Sequence, residues 1–221
     1  MKRSFSLLEL IFAIVVISIV MMAIPGIFTQ TTSSIEEIIK KEAVFYAYFQ
    51  NGNILTYRWD ENSKIQDYNT SYTVALNTKG GDNELKATKV NNPNYRIGAV
   101  SRQIDLSRFA SDTLGLESGE SFADDIDDFN NKVITVKKEQ DDFIVDMNIK
   151  TKISYLQDSS DYTQTNLSFS HLSPSLDTSS LSTNLKLIET NVTDPHNKTI
   201  LIMRAFACNN GQPILQHRIF Q

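Results

Sequence analysis

An apolar block over the first 28 residues, broken by a single carboxylate, constrains this chain more than any other feature. From Leu10 to Ile24 there is no charge, and Ser18 is the one polar residue. Residues 6–24, if helical, span about 28 Å at roughly 1.5 Å per residue, close to the thickness of a bilayer's hydrocarbon core. Lys2 and Arg3 precede the block, and no basic residue follows until Lys40. By the positive-inside rule the N-terminus stays in the cytoplasm and the remainder is exported.

A secretory signal peptide shares the basic start and apolar stretch, but it ends in a small-x-small cleavage site. Met22-Ala23-Ile24-Pro25-Gly26 matches that poorly. A plain transmembrane anchor fits the length. Neither accounts for Glu9, because a carboxylate inside a spanning segment costs up to about 3 kcal/mol at the centre and less near the interface. Such a charge is normally there for a partner.

The run Ser4-Phe5-Ser6-Leu7-Leu8-Glu9-Leu10-Ile11 resembles the prepilin signature of type IV pilins and type II secretion pseudopilins. In that family a short basic leader is cut off immediately before a Phe, the new terminal Phe is methylated, and the fifth mature residue is Glu. The matching bond here is Ser4–Phe5, which makes Glu9 the fifth residue. Ser4 departs from the Gly most common there, but a small residue is kept and processing is expected. The resemblance covers about 25 residues. It implies a pairing of the Glu9 carboxylate with the Phe5 α-amine of a neighbouring subunit. Low dielectric strengthens such a pair and penalises an unpaired carboxylate, so Glu9 acts as a register device.

Pro25-Gly26 is expected to end or kink the first helical stretch, since Pro lacks an amide donor and clashes with the preceding turn. Beyond it, Ile35, Ile38, Ile39, Phe45, Tyr46 and Phe49 recur at helical spacing and are read as the face that docks on a sheet. Glu36 and Glu37 each precede a Lys by four, the favourable order for exposed pairs. Ser33 or Ser34 is a candidate cap for a helix restart, and Asn51-Gly52-Asn53 a terminator.

The pattern then changes to period two. Lys132–Lys138 and the alternation Phe143, Val145, Met147, Ile149 read as a hairpin. Tyr72, Val74 and Leu76 suggest another strand, as do 185–192 and 199–208, with Asn209-Asn210-Gly211 turning into 214–220. Residues 157–184, rich in Ser, Thr and Asp, read as a long excursion. The fold class is therefore α+β, a long N-terminal helix packed on an antiparallel sheet. Its parts are a leader (1–4), a transmembrane and filament-core helix (5–28), an amphipathic continuation (29–52) and a periplasmic head (53–221).

Chemistry-bearing residues are few. The net charge of −5 gives no general attraction to nucleic acid. Cys208, the lone cysteine, allows no internal disulfide and is expected to be a buried thiol. His171, His196 and His217 lack metal-ligand spacing, and there is no phosphate-binding glycine loop or nucleophile elbow. No cofactor is indicated, and the head is read as non-enzymatic. Asp124, Asp125, Asp127 and Asp128 offer oxygen ligands for calcium but lack the regular loop spacing and its glycine, so a solvated turn is expected. Asn69 and Asn191 lie in acidic sequons of the bacterial N-glycosylation type.

The resemblance implies a structural subunit of a pseudopilus or pilus. Its size and polar head favour a minor subunit, and size alone favours the secretion pseudopilus. Its partners would be other pilin-like subunits, a prepilin peptidase and an inner-membrane assembly platform. The alternative is a periplasmic binding or enzyme domain on an uncleaved anchor, which predicts an intact Met1 and indifference to Glu9.

Overall fold

In the computed structural model, the described residues are 7–66, 71–81, 108–138, 145–157 and 177–211. They form one long helix followed by antiparallel β-structure. The chain divides into two compact units, residues 1–43 and 44–221.

Helix α1 runs from Leu7 to Ile54 with Pro25 inside it, so of the stop or kink expected at Pro25-Gly26 the stop does not occur. Pro25 offers no amide to the carbonyl of Met21, and the hydroxyls beyond it bond to carbonyls of the turns that follow, from Pro25 to Gln30. Thr29 Oγ1 donates to the carbonyls of Pro25 and Gly26, at 3.2 and 2.9 Å. Thr31 and Thr32 donate to carbonyls four residues back, as does Ser34, which binds the Gln30 carbonyl instead of capping a new helix. A hydroxyl in a helix can bond to the preceding turn in this way without breaking it.

The face that α1 presents to the sheet also differs from expectation. Phe45 and Phe49 are exposed, whereas Ala47, Gln50, Asn51 and Ile54 are buried, at the spacing of one helix face. A small residue lets the helix backbone approach closely, and Asn51 supplies a polar lock. The Thr190 hydroxyl donates to Asn51 Oδ1 at 2.6 Å. Asn51 therefore anchors the last turn of the helix, which ends at Ile54, directly after the Asn51-Gly52-Asn53 segment expected to terminate it.

Among the described residues seven strands follow: β1 (Lys64–Gln66), β2 (Ser71–Thr73), β3 (Val133–Val136), β4 (Met147–Leu156), β5 (Thr178–Ser179), β6 (Leu185–Thr193) and β7 (Thr199–Cys208). β1 and β2 make a separate ribbon. The main sheet is ordered β3-β4-β6-β7, with β5 on β4, and all its pairings are antiparallel. The expected hairpin is β3–β4, and its connecting residues 139–144 lie outside the description. β4 alternates as predicted, with Met147, Ile149, Thr151 and Ile153 buried and Lys150 and Lys152 exposed. Residues 74–76 are buried but lie beyond the end of β2, so the strand expected there is shorter. The Asn209 side chain instead brackets Leu76, accepting from its amide and donating to its carbonyl at 2.9 Å each.

The core beneath the sheet gathers Ile54, Trp59, Leu76, Phe129, Ile153, Tyr155 and Ile188. Tyr57 meets Phe129 edge-on at 4.9 Å, a geometry that aromatic quadrupoles favour. Trp59 donates its indole N–H to the Ala207 carbonyl at 3.1 Å, so its polar edge is satisfied where it is buried.

Candidate functional site

Two regions carry chemistry. The first is the N-terminal part of α1. Its most apolar 18-residue window has a mean hydropathy of 2.9, and none of it is buried within the protein. By length and composition this helix is sufficient to cross a membrane. Glu9 lies in its first turn, where a carboxylate is favoured by the exposed amides of a helix start. Ser18 sends its hydroxyl to the Ile14 carbonyl at 2.7 Å, so the polar group within the apolar run is satisfied internally. Ser4 and Phe5 lie outside the described residues.

The second region is a buried charge cluster, which the sequence did not reveal as such. Lys186, on β6, is fully buried. Its ammonium donates to Asp127 Oδ1 at 2.7 Å and to the Trp59 carbonyl at 2.6 Å, and stands 3.6 Å from Asp60 Oδ2. Trp59 and Tyr155 wall it in, their ring centroids 4.3 and 5.4 Å from Nζ. Asp60 accepts from the amides of Asn62 and Ser111 at 2.9 and 3.0 Å, which ties the segment after α1 to this centre.

Asp125, Asp127 and Asp128 are buried as well, which corrects the solvated turn expected for them. Asp125 and Asp128 fold inward because the chain needs their oxygens for its own backbone, and Asp127 because it meets Lys186. Asp125 Oδ1 accepts from the amides of Asp127 and Asp128, and Asp128 Oδ2 from those of Asp124 and Asp125. Asp124 alone of the four is exposed, and it pairs with Arg58. Asp125 Oδ2 and Asp127 Oδ2 are buried without a donor while both groups are ionised. A proton on Asp125 supplies one. Burial first, then a hydrogen bond to Asp127 and the Asp127 charge, push the Asp125 carboxyl up to about 9. Asp60 is raised too, by burial, with Lys186 opposing.

The carboxylates whose oxygens converge, within 4.8 Å among the described residues, are Glu61, Glu117 and Glu120 rather than the four aspartates. Burial, and a hydrogen bond that protonated Glu117 donates to Glu120, raise Glu117 to about 7, so a proton relieves that crowding near neutrality.

One further expectation is corrected. Cys208 is exposed at the end of β7 rather than buried. Asn191 sits in β6, paired with Lys150 on one side and Ile202 on the other, so its sequon is locked inside a sheet. His196 lies in an exposed turn, while Asn69, His171 and His217 fall outside the described residues. One signal did mark Lys186. It is in phase with Ile188, Thr190 and Val192, all fully buried, so the period-two pattern of β6 points it inward.

Residues 1–25 match the family model of the prokaryotic N-terminal methylation motif. The chain thus carries the type IV pilin and pseudopilin signature at its N-terminus. No curated protein matches the chain, and no solved structure does.

Proposed function

We propose, with the pilin signature at residues 1–25 as premise, that this chain is a structural subunit, most plainly a minor one, of a type II secretion pseudopilus or a type IV pilus. A prepilin peptidase removes residues 1–4 by cutting Ser4–Phe5, and Phe5 is then N-methylated. Residues 5–28 span the inner membrane with the head outside the cytoplasm, and later pack in the filament core. Residues 29–52 continue the stalk to the head at 53–221. Assembly uses other pilin-like subunits and an inner-membrane platform.

The observation that carries this reading is the pairing of an apolar, unburied 18-residue window in the helix with a carboxylate in its first turn. An anchor needs the first and is penalised by the second. A subunit whose neighbour brings an α-amine needs both. Pro25-Gly26 marks the softest point of the helix, since one backbone hydrogen bond is missing there.

The test is the N-terminal residue and its mass in protein from the native host, with and without the peptidase. A methylated Phe5 that depends on the peptidase supports the assignment. An intact Met1, or cleavage near Ala23, discards it in favour of an anchored or secreted domain. In the same host Glu9→Ala is expected to lower incorporation into filaments about tenfold, the equivalent of about 1.4 kcal/mol, while membrane insertion persists. Unchanged incorporation would remove Glu9 from the assembly step.

A further inference from the structure

We infer that Lys186 and Asp127 are the two ends of an intramolecular isopeptide bond, formed by condensation of Lys186 Nζ with Cγ of Asp127. This goes beyond the filament role and does not depend on it. Nζ and Asp127 Oδ1 are 2.7 Å apart with side-chain exposures of 0% and 1%, so nucleophile and carboxyl are held at reacting distance in a dry site. Positioning of that kind replaces a bimolecular encounter and supplies a large effective concentration. Trp59 and Tyr155 close the sides, and excluded water neither competes with the amine nor reverses the product.

The step balances without any co-reactant. The ammonium gives a proton to Asp60, whose carboxylate is 3.6 Å away and fully buried. The neutral amine attacks Cγ of Asp127, and a carbon–nitrogen bond forms. Asp125, whose Oδ1 accepts from the Asp127 amide at 2.9 Å and which burial keeps protonated near neutrality, gives its proton to the departing carboxyl oxygen. The carbon–oxygen bond breaks as that oxygen takes the second proton from Asp60. Asp125 recovers its own from the attacking nitrogen. One ammonium and one carboxylate become one amide and one water, and both assisting carboxyls end as they began. The amide N–H inherits the Trp59 carbonyl, already 2.6 Å from Nζ, as its acceptor.

The product also removes a buried ion pair, whose desolvation is otherwise compensated only by good geometry. It staples the turn before β3 to the middle of the sheet, in a chain whose single cysteine permits no disulfide.

The test is the intact mass of the denatured full-length chain, purified in detergent, with peptide mapping to exclude changes at the N-terminus. The expected wild-type result is a mass about 18 Da below the sequence value, and a branched peptide joining the segments that contain Asp127 and Lys186. Lys186→Arg and Asp127→Ala are expected to restore the sequence mass. Asp127→Asn is expected to change the deficit to about 17 Da, because ammonia then leaves in place of water. Wild-type protein at its full sequence mass, with the Lys186 peptide linear and Trp59 emission that of a folded head, overturns the proposal whatever the variants do.

Discussion

While Lys186 and Asp127 remain an ion pair, Asp125 is held near 9 by its burial and by Asp127, and the consequence appears in how stability depends on pH. The folded chain keeps a proton there that the unfolded chain releases above the ordinary carboxylate range, so unfolding releases a proton across that interval. Stability from this group is complete below the unfolded value and is lost as pH climbs towards 9. Asp60 and Glu117 are also raised and act in the same direction. Asp112 runs the other way. Its hydrogen bond from Lys79 lowers it, and that contribution disappears as pH falls through its folded value. Melting temperature is therefore expected to decline by several degrees between pH 5 and about 9, and Asp125→Asn, neutral at every pH, is expected to flatten the decline. A wild-type curve already flat over that range would refute the assignment. At this scale the sequence was partly readable. The phase of β6 pointed Lys186 inward, but nothing near Asp60 or Asp127 announced that both would meet it, because each comes from a different irregular segment. The run of aspartates was misread for a related reason. Local composition predicts exposure, whereas these oxygens are used to hold their own backbone amides.

Helix and strands were largely legible, since both follow from periodicity. The spans predicted for β3, β6 and β7 agree with the structure to within two residues, and β4 alternates as its sequence does. One error concerns the docking face of α1. Phe45 and Phe49 drew the docking face to the wrong side of α1, because aromatic bulk outweighs an alanine in any apolar count. Yet Ala47 and Asn51 are what permit close approach. Gly211 was read as part of a tight turn and does more. Its φ is +67°, and a Cβ there would lie 2.9 Å from the Ala75 amide nitrogen and 3.0 Å from the Thr73 carbonyl oxygen. Both neighbours are backbone and cannot swing aside. Gly211→Ala is expected to destabilise the head by about 1–3 kcal/mol, measured by denaturant unfolding followed through Trp59. A loss below about 0.5 kcal/mol would show that this contact yields readily.

The two compact units divide the tasks of the whole molecule, with the apolar helix in one and the sheet and its buried charges in the other. The α+β plan was readable because one long apolar run and several short alternating ones seldom coexist by chance; the excursions between strands have no period to read. A chain starting at Thr29 is expected to dissolve without detergent and to keep the Trp59 emission of the full-length protein. Altered emission would mean that the head depends on the removed segment. The attachment of α1 to the sheet bears on tension. Force arriving along the helix reaches Ile54, and a few residues later the Trp59 carbonyl and Asp60 are held by Lys186, on a strand with a partner on each side. Load thus enters at the middle of the sheet, where two neighbours must give way together, and not at a border from which one strand peels bond by bond.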